Sequence, residues 1–320
     1  MKKEVSVIIP NYNGAGYLRA CLDSLKKQSF RDFEVILVDN ASEDDSVEMT
    51  REKFPEAKII RLSENFGFCR AVNEGIRRSK SPYVLLLNND TVADEHFVGN
   101  LYKAIQKRPG SFSCAAQIRK LCDPGLMDDG GDYYCALGWA FALGKDKPKE
   151  GYQKSRKIFA SCAAAAIYRR EVFEHIGFFD EAHFAYLEDM DVGYRARIYG
   201  YENWYVPEAI VDHVGSGTTG TRYNKFKVRY SARNNLYLIY KNMPLFQLIL
   251  NLPLLFAGFL IKYLFFLKKG MGGEYCQGIR EAFGLFKKEK KVPFQMKNMK
   301  NYVRIQLELW INLARRVSDH

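Results

Sequence analysis

A chain of 320 residues, 47% of them hydrophobic and 27% charged, is long enough for one large domain or two smaller ones, and this composition argues against general disorder. Its seven cysteines form no C-x-x-C pair, which argues against a disulfide framework or a cysteine zinc site and for a reducing compartment. The charge is uneven, because residues 222–320 hold 19 Lys/Arg against 5 Asp/Glu, a net charge of +14, whereas residues 1–221 carry −3.

Short apolar runs alternate with segments of helical spacing over the first 106 residues. Because this β-α repetition is typical of a doubly covered sheet, we predict an α/β fold with a mostly parallel sheet and helices on both faces. The predicted strands are Val5–Ile9, Phe33–Val38, Ala57–Leu62 and Tyr83–Leu87; the predicted helices are Gly16–Gln28, a helix beginning at Ser42, Phe68–Arg78 and Glu95–Gln106.

Polar side chains follow three of these strands, and ligands of such sheets bind beyond the carboxyl ends of the strands. The strand ends read Pro10-Asn11-Tyr12-Asn13, Asp39-Asn40 and Asn88-Asn89-Asp90. No G-x-G-x-x-G sequence follows the first strand and no P-loop is present, which disfavours a nicotinamide enzyme or a P-loop ATPase.

An acidic cluster, Glu188, Asp189 and Asp191, follows an aromatic and aliphatic run. Like charges this close repel one another and are costly near apolar surface unless a cation, a hydrogen-bond donor or a reaction uses them. With Asp90 at a distant strand end, the chain has the means to separate metal binding from base catalysis. Asp191 also begins a predicted helix, where an acidic residue is favourable without any catalysis.

The chain resembles glycosyltransferase family 2, whose members have the GT-A fold, over roughly residues 4–216. The motifs that carry the resemblance are weak singly and strong in this order: Val7-Ile8-Ile9-Pro10-Asn11-Tyr12-Asn13, Val38-Asp39-Asn40-Ala41-Ser42-Glu43-Asp44, Glu64-Asn65-Phe66-Gly67-Phe68 through Asn73-Glu74-Gly75, Leu87-Asn88-Asn89-Asp90-Thr91, Glu188-Asp189-Met190-Asp191 and Asp212-His213-Val214-Gly215-Ser216. Within the family it looks like bacterial rhamnosyltransferase-type enzymes of polysaccharide biosynthesis, and Arg233-Asn234-Asn235 through Lys241-Asn242-Met243-Pro244 looks like that branch too.

The resemblance implies which residues hold a nucleotide sugar. Asp39 matches the family's contact to the nucleotide base, with helix capping as the alternative, and Asn65, Gly67 and Asn73 complete the nucleotide pocket unless they only form a turn and a helix. The nucleotide-sugar-binding residues implied are Pro10, Asn11, Tyr12, Asn13, Asp39, Asn65, Gly67, Asn73, Asn88 and Asn89.

The family's metal motif is D-x-D, and here the first carboxylate is replaced by Asn88. The resemblance implies that Asp90 binds Mg²⁺ or Mn²⁺, which bridge diphosphate oxygens, with His213 completing the shell or else serving a structural role. It also implies Asp189 as the general base of an inverting single displacement, with Glu188 shaping the acceptor pocket or tuning Asp189.

We therefore expect an inverting, metal-dependent glycosyltransferase that moves a sugar from a nucleotide diphosphate, dTDP-rhamnose or a UDP-sugar, to a lipid-linked or polysaccharide acceptor. The alternative is an inactive nucleotide-sugar-binding or scaffold protein of the same fold, which only Asn88 favours. We expect residues 120–156, which include Asp123, Asp128, Asp129 and Asp132, to form a loop or small hairpin over the site. Gly215–Gly220 is a candidate closing lid.

The C-terminal region, residues 222–320, is predicted to be helical and membrane-associating, after a nucleotide-sugar and acceptor domain at 1–221. It contains the apolar run Leu245–Leu267, flanked by basic residues on both sides, which suits interfacial docking; a true span and a buried soluble helix pair are the alternatives. Pro253 is expected to divide the run into two short helices. Only five strand-like residues precede Pro10, too few for a signal peptide. We expect a cytoplasmic protein, peripheral at the inner face of the cell membrane, with an anionic membrane surface rather than nucleic acid as its partner.

Overall fold

The computed structural model describes residues 2–215 and 223–318. Its strands are β1 (Val5–Asn11), β2 (Phe33–Asp39), β3 (Lys58–Arg61), β4 (Tyr83–Leu87), β5 (Thr91–Ala93), β6 (Ser111–Lys120), β7 (Asp123–Asp129), β8 (Asp132–Cys135), β9 (Trp139–Ala142), β10 (Arg156–Ile158), β11 (Ala165–Arg169) and β12 (Glu202–His213). Its α-helices are α1 (Ala15–Lys26), α2 (Ser46–Lys53), α3 (Phe68–Arg78), α4 (Phe97–Gln106), α5 (Val172–Ile176), α6 (Glu188–Ile198), α7 (Lys225–Asn242), α8 (Leu245–Lys268), α9 (Gly272–Phe283) and α10 (Met299–Ser318).

The predicted α/β architecture is confirmed, and the sheet is mixed. Its main path runs β10-β12-β6-β11-β4-β1-β2-β3, with β5 paired to β12 and β7 to β6. Strands β4, β1, β2 and β3 are parallel, whereas β11 runs antiparallel to both β4 and β6. The β-α repetition visible in the sequence thus forms the parallel half of the sheet. Because β1, β2 and β4 are parallel, the polar residues at their carboxyl ends lie along one edge of the sheet.

Helices cover both faces because the side chains of a buried strand alternate between them. Val7 and Ile9 of β1 pack with α1 and α4 in one hydrophobic cluster, and Ile8 packs with α3 and α6 in the other. The bounds of α3 and β4 are those predicted. The predicted start of the second helix at Ser42 was wrong: α2 begins at Ser46.

The loop before α2 is fixed by side chains that replace helical hydrogen bonds. The Ser42 amide donates to Asp39 Oδ2 at 3.1 Å, and Asp44 accepts from Ser46 and from the Ala15 amide. Such local bonds compete with helix formation, which explains why the acidic residues Glu43–Asp45 lie outside the helix.

The C-terminal helices share a core with the rest of the chain. Leu238, Leu255 and Leu309 lie in one buried cluster with Tyr134 of β8 and Tyr194 of α6. The predicted boundary at 221/222 falls in residues 216–222, outside the described residues. One described helix, α8, is long and apolar enough to cross a membrane by length and composition.

The expectation that Pro253 splits the apolar run was wrong, because α8 is continuous over 24 residues with Pro253 inside it. Proline removes one helical hydrogen bond. Buried contacts of Gln247 and Asn251 before it, and of Leu255 and Gly258 after it, hold both halves against the protein.

Candidate active site

A cavity of about 590 Å³ opens at the carboxyl ends of the parallel strands. This cavity is lined by most of the candidate site residues predicted from the sequence, although they come from five separate segments of the chain. These are Pro10, Asn11, Tyr12, Asn65, Gly67, Asn88, Asn89, Asp90, Glu188, Asp189 and His213. Asn13, Asp39 and Asn73 are not among the lining residues.

Asn11 connects the strand ends at the floor of this cavity. Its Nδ2 donates to Asp39 Oδ1 at 3.2 Å and to Ser46 Oγ at 2.8 Å, and its Oδ1 accepts from Asn89 Nδ2 at 2.8 Å. Asn13 follows in a left-handed conformation with φ of 48°, and its amide donates to Ser42 Oγ. This amide network fixes the position of the turn after β1 relative to β2 and β4.

Asp39 and Asn73, which were predicted to bind the nucleotide, form hydrogen bonds with other residues of the protein. Asp39 is fully buried, and its carboxylate accepts from Asn11 and from the Ser42 amide, with Arg61 Nε at 3.5 Å. These bonds match the capping alternative, and the contact of Asp39 with a nucleotide base stays a prediction.

The prediction that Asn73 binds the nucleotide was wrong, because both atoms of its side-chain amide are hydrogen-bonded within the protein. It donates to the Phe179 carbonyl at 2.8 Å and to Glu181 Oε1 at 3.1 Å, and it accepts from the Phe179 amide. Its side chain is 1% exposed. Asn73 therefore holds the loop that leads to the acidic cluster and does not reach the cavity.

Gly67 is required by the backbone at the cavity wall. It has φ of +84°, and a Cβ there would lie 2.5 Å from the Phe184 ring. Asn40 and Asn65 fix the turn, since Asn40 Nδ2 donates to the Gly67 carbonyl and Asn65 Oδ1 accepts from the Gly67 amide. The predicted turn thus packs closely against the ring of Phe184, which lines the cavity as well.

Asp90 and His213 meet at the other side of the cavity. His213 Nε2 lies 3.2 Å from Asp90 Oδ1, while Nδ1 lies 2.8 Å from Asp128 Oδ2. Burial lowers the pKa of His213, but the hydrogen bonds to Asp128 and Asp90 outweigh it and raise this pKa to about 9. Asp128, which also pairs with Lys145 at 2.6 Å, was not singled out as a ligand or as a partner of His213.

This donor set fits a divalent cation. Carboxylate oxygen and imidazole nitrogen are accepted by Mn²⁺, and Mg²⁺ binds through one or two carboxylates with substrate phosphates. A metal-binding histidine usually donates its second ring N–H to a carboxylate, which is the place that Asp128 takes here. Asp90 and His213 therefore have the chemistry to hold a cation that faces the cavity.

Glu188 and Asp189 form the opposite wall at the start of α6. Burial raises the pKa of Glu188 to about 8, and the charge of Asp189 acts in the same direction. Glu188 Oε2 is buried and has no hydrogen-bond partner among the described residues. Burial also raises the pKa of Asp189, although hydrogen bonds from the Met190 and Ala163 amides oppose it. A raised pKa makes Asp189 a stronger base than an ordinary aspartate.

A second acidic group lies behind this wall. Ligand atoms of Asp129, Asp132 and Cys162 lie within 4.8 Å of one another. Burial raises the pKa of Asp129 to about 7 and that of Asp132 well above its usual value, with the charge of Asp189 contributing to both. Within residues 120–156, β8 and β9 pair as a hairpin. The described residues that line the cavity include none from this segment, so its position over the site stays a prediction. Strand β7 brings Asp128 to His213. The lid expected at 215–220 lies outside the described residues beyond Gly215.

Asp191 has a structural role, as the helix-start alternative allowed. It is fully buried, and Arg195, Lys241 and Asn242 all donate to its carboxylate. Burial would raise its pKa, but the charges of Arg195 and Lys241 hold the pKa well below the usual range. The acidic cluster thus separates into two cavity residues and one buried ion-pair residue.

Helix α7 also fixes the strained loop that precedes Glu188. Phe184, Tyr186 and Leu187 all have positive φ, which is unfavourable for such side chains. Asn234 Nδ2 lies within hydrogen-bonding distance of the His183, Ala185 and Tyr186 carbonyls, at 2.8–2.9 Å. The sequence analysis singled out Arg233-Asn234-Asn235 as a motif, but the motif did not indicate that Asn234 holds the loop before Glu188.

Comparisons with known proteins agree with this architecture. The family model described as glycosyl transferase family 2 matches residues 6–177. The N-acetylglucosaminyl-diphospho-decaprenol L-rhamnosyltransferase of Mycobacterium tuberculosis is 25% identical over 245 residues, covering 69% of this chain and 79% of that protein.

Two solved structures share the fold. GalNAc-T7 with UDP, GalNAc and Mn²⁺ superposes with a TM-score of 0.60 at 16% identity, over 74% of this chain and 48% of that one. The mannosyltransferase PcManGT of Pyrobaculum calidifontis, with GDP-Man and Mn²⁺, superposes with a TM-score of 0.55 at 16% identity, over 88% of each chain.

Proposed function

Because the chain belongs to glycosyl transferase family 2, we propose that it transfers a sugar from a nucleotide diphosphate to a hydroxyl group of a lipid-linked or polysaccharide acceptor, with inversion. The observation that carries this proposal is that Asp189 lines the same cavity as Asp90 and His213. The proposed base for the acceptor and the proposed site for the diphosphate therefore face one cavity of about 590 Å³.

The reaction is a single displacement at the anomeric carbon. Asp189 takes the proton of the acceptor hydroxyl as its oxygen attacks, the new glycosidic bond forms, and the bond to the diphosphate oxygen breaks. Glu188 keeps its proton near neutral pH and helps to shape the acceptor pocket. Residues Pro10–Asn13, Asn65, Gly67, Asn88 and Asn89 hold the donor, with Asp39 at its nucleotide base.

Asp90 and His213 would hold Mg²⁺ or Mn²⁺, which would offset the charge that develops on the departing diphosphate. Asn88 replaces one carboxylate of the family motif, so the protein supplies less negative charge there. Asp128 orients the His213 ring through Nδ1. Manganese is named with both structural neighbours, which supports testing it beside magnesium.

The relative from Mycobacterium tuberculosis guides the choice of substrates. It is an L-rhamnosyltransferase whose acceptor is a decaprenol-linked sugar, so dTDP-L-rhamnose and a polyprenol-diphosphate sugar are the first pair to test, followed by UDP-sugars. Lipid-linked acceptors also support a place at the inner face of the cell membrane.

The test combines binding with turnover. Purified protein is screened by thermal shift against nucleotide sugars, with Mg²⁺, with Mn²⁺ and with chelator, because a ligand stabilises the folded state according to its affinity. The stabilising donor is then incubated with acceptor, and the anomeric configuration of the product is read by NMR. An inactive binder of the same fold gives the thermal shift with neither transfer nor donor hydrolysis.

A further inference from the structure

The outer face of α8 is apolar over its whole length and is left exposed by the rest of residues 2–215 and 223–318. At a spacing of three or four residues its outward side chains are between 44% and 69% exposed: Leu245, Ile249, Leu252, Phe256, Leu260, Leu264 and Leu267. Isolated exposed apolar residues are ordinary, but a continuous stripe indicates an interaction surface. No acidic or basic residue interrupts this stripe between its ends.

The opposite face of α8 is fixed to the protein by polar bonds. Gln247 donates to the Tyr302 carbonyl at 3.0 Å, and Asn251 donates to Gln306 Oε1 at 2.8 Å. Gly258 lies so close to the Leu137 carbonyl that a Cβ there would be 2.0 Å from its oxygen. Gln247 to Gly258 covers about 17 Å of helix at 1.5 Å per residue, so lipid cannot surround α8 as it surrounds a span.

Helix α10 extends the same surface. Its exposed apolar residues Val303, Leu307, Ile311 and Val317 recur at a helical spacing, and Trp310 Nε1 donates to Asn251 of α8 at the seam between the helices. Before α10, Phe294 packs on Phe246 with ring centroids 6.0 Å apart, and Met296 is 70% exposed. The outward residues of α8 and α10 with Phe294 and Met296 are termed the docking face below.

Basic side chains border the docking face at both ends of α8. Lys268 is the last residue of α8 and Lys269 follows it, and the exposed lysines Lys287 and Lys288 lie in the segment that leads to Phe294. Such a combination of an apolar stripe and a basic rim suits the interface of a bilayer with anionic lipids. It does not suit a second protein copy, since two identical basic rims would repel each other.

We propose that the docking face binds the surface of an anionic bilayer, with α8 and α10 lying in the interface and neither helix crossing the membrane. The proposal goes beyond the transfer reaction and does not depend on it. It selects one of the three alternatives that the apolar run Leu245–Leu267 left open.

Aromatic side chains lie both at the end of α8 and at the cavity. Tyr223 packs on Phe265 and Phe266 at the end of α8, with ring centroids 5.7 and 5.9 Å apart. Three residues further along the chain, Phe226 lines the cavity and packs against Phe184, with ring centroids 6.3 Å apart. Two aromatic residues close in the chain thus contact the end of α8 and the cavity.

The test is flotation of the purified full chain with preformed vesicles, one set of phosphatidylcholine alone and one with phosphatidylglycerol added. We expect flotation with the anionic vesicles, weakened by salt. Ile249→Asp with Phe256→Asp should lower the bound fraction at least about tenfold, because each charge must leave water. Leu121→Asp, at a 41% exposed leucine between β6 and β7, is the matched control and should float like the unaltered chain.

A second variant tests the rim without touching the apolar stripe. Lys287→Ala with Lys288→Ala should weaken binding to anionic vesicles about fivefold per lysine and leave the unfolding temperature unchanged. Flotation unaffected by either variant overturns the proposal. So does a helix segment protected from protease inside the vesicle, which would indicate a span. A dimer in lipid-free solution that Phe256→Asp dissociates, without flotation of the unaltered chain, would assign the face to a second copy.

Discussion

Lys241 near the end of α7 contacts Asp191 near the start of α6, with Nζ 3.0 Å from Oδ2, although 50 residues separate them in the chain. The same ammonium lies 2.7 Å from Asp180 Oδ2. This buried ion pair connects the C-terminal helices to the helix that carries Asp189 on its first turn. The C-terminal region is therefore part of the architecture that positions Asp189, the proposed base.

Replacing Lys241 with methionine should destabilise the whole chain. Both carboxylates are buried, with side-chain exposures of 6% for Asp180 and 0% for Asp191, and removing their common cation leaves two buried negative charges with only Arg195 on Asp191 and Lys290, at 3.7 Å, on Asp180. Such losses cost about 3–5 kcal/mol. Chemical denaturation measures the free energy of unfolding, and Lys103→Met on the exposed side of α4 is the control. Equal stability of Lys241→Met and the unaltered chain would contradict this account.

Asp189→Asn should remove the proposed base while leaving the proposed donor site intact. Base catalysis by a positioned carboxylate is worth about 10²–10⁴-fold in rate, so kcat should fall by that factor. Thermal stabilisation by the nucleotide sugar should persist, because Asn89, Asp90 and His213 are unaltered. Asp123→Asn, at the exposed start of β7, controls for loss of a nearby charge. Full activity of Asp189→Asn would exclude this residue as the base.

Asp128→Asn should weaken the metal site without removing a proposed ligand. Asp128 Oδ2 accepts from His213 Nδ1, and loss of such an outer-shell partner typically costs about 10–100-fold in metal affinity. Calorimetric titration with Mn²⁺ measures this affinity directly, and Asp45→Asn in the exposed loop before α2 serves as the comparison. If Asp128→Asn binds Mn²⁺ as tightly as the unaltered chain, His213 is not a ligand that Asp128 orients.

Glu188→Gln should make stability less dependent on pH. Burial raises the pKa of Glu188 from 4.5 to about 8, so the folded state holds a proton that the unfolded state releases, and stability falls as the pH rises from about 4.5 through about 8. Glutamine resembles the protonated side chain and never ionises. The stability advantage of the variant over the unaltered chain should therefore grow across this range, as followed by denaturation at several pH values. A pH-independent difference would mean that Glu188 ionises freely in the folded chain.

The sequence predicted the local features of the site well. The apolar runs predicted the parallel strands β1–β4, and Pro10, Asn11, Asp90 and Asp189, which the ordered motifs singled out, all line one cavity. These features depend on residues close in the chain, where alternation of burial and strand-end chemistry leave a direct record in the residue order. The basic, apolar C-terminal region was equally visible from composition.

Tertiary structure decided which polar groups meet. The pairing of His213 with Asp128 joins positions 85 residues apart, and Asn73 is withdrawn from the cavity by a loop 106 residues away. No local pattern encodes such contacts, because they arise only when the sheet and helices pack. The same holds for α8, whose composition allowed a span, an interfacial helix or a core helix. Its buried Gln247 and Asn251 are bonded to α10, and these contacts support the interfacial helix proposed above, because they commit one face of α8 to the protein.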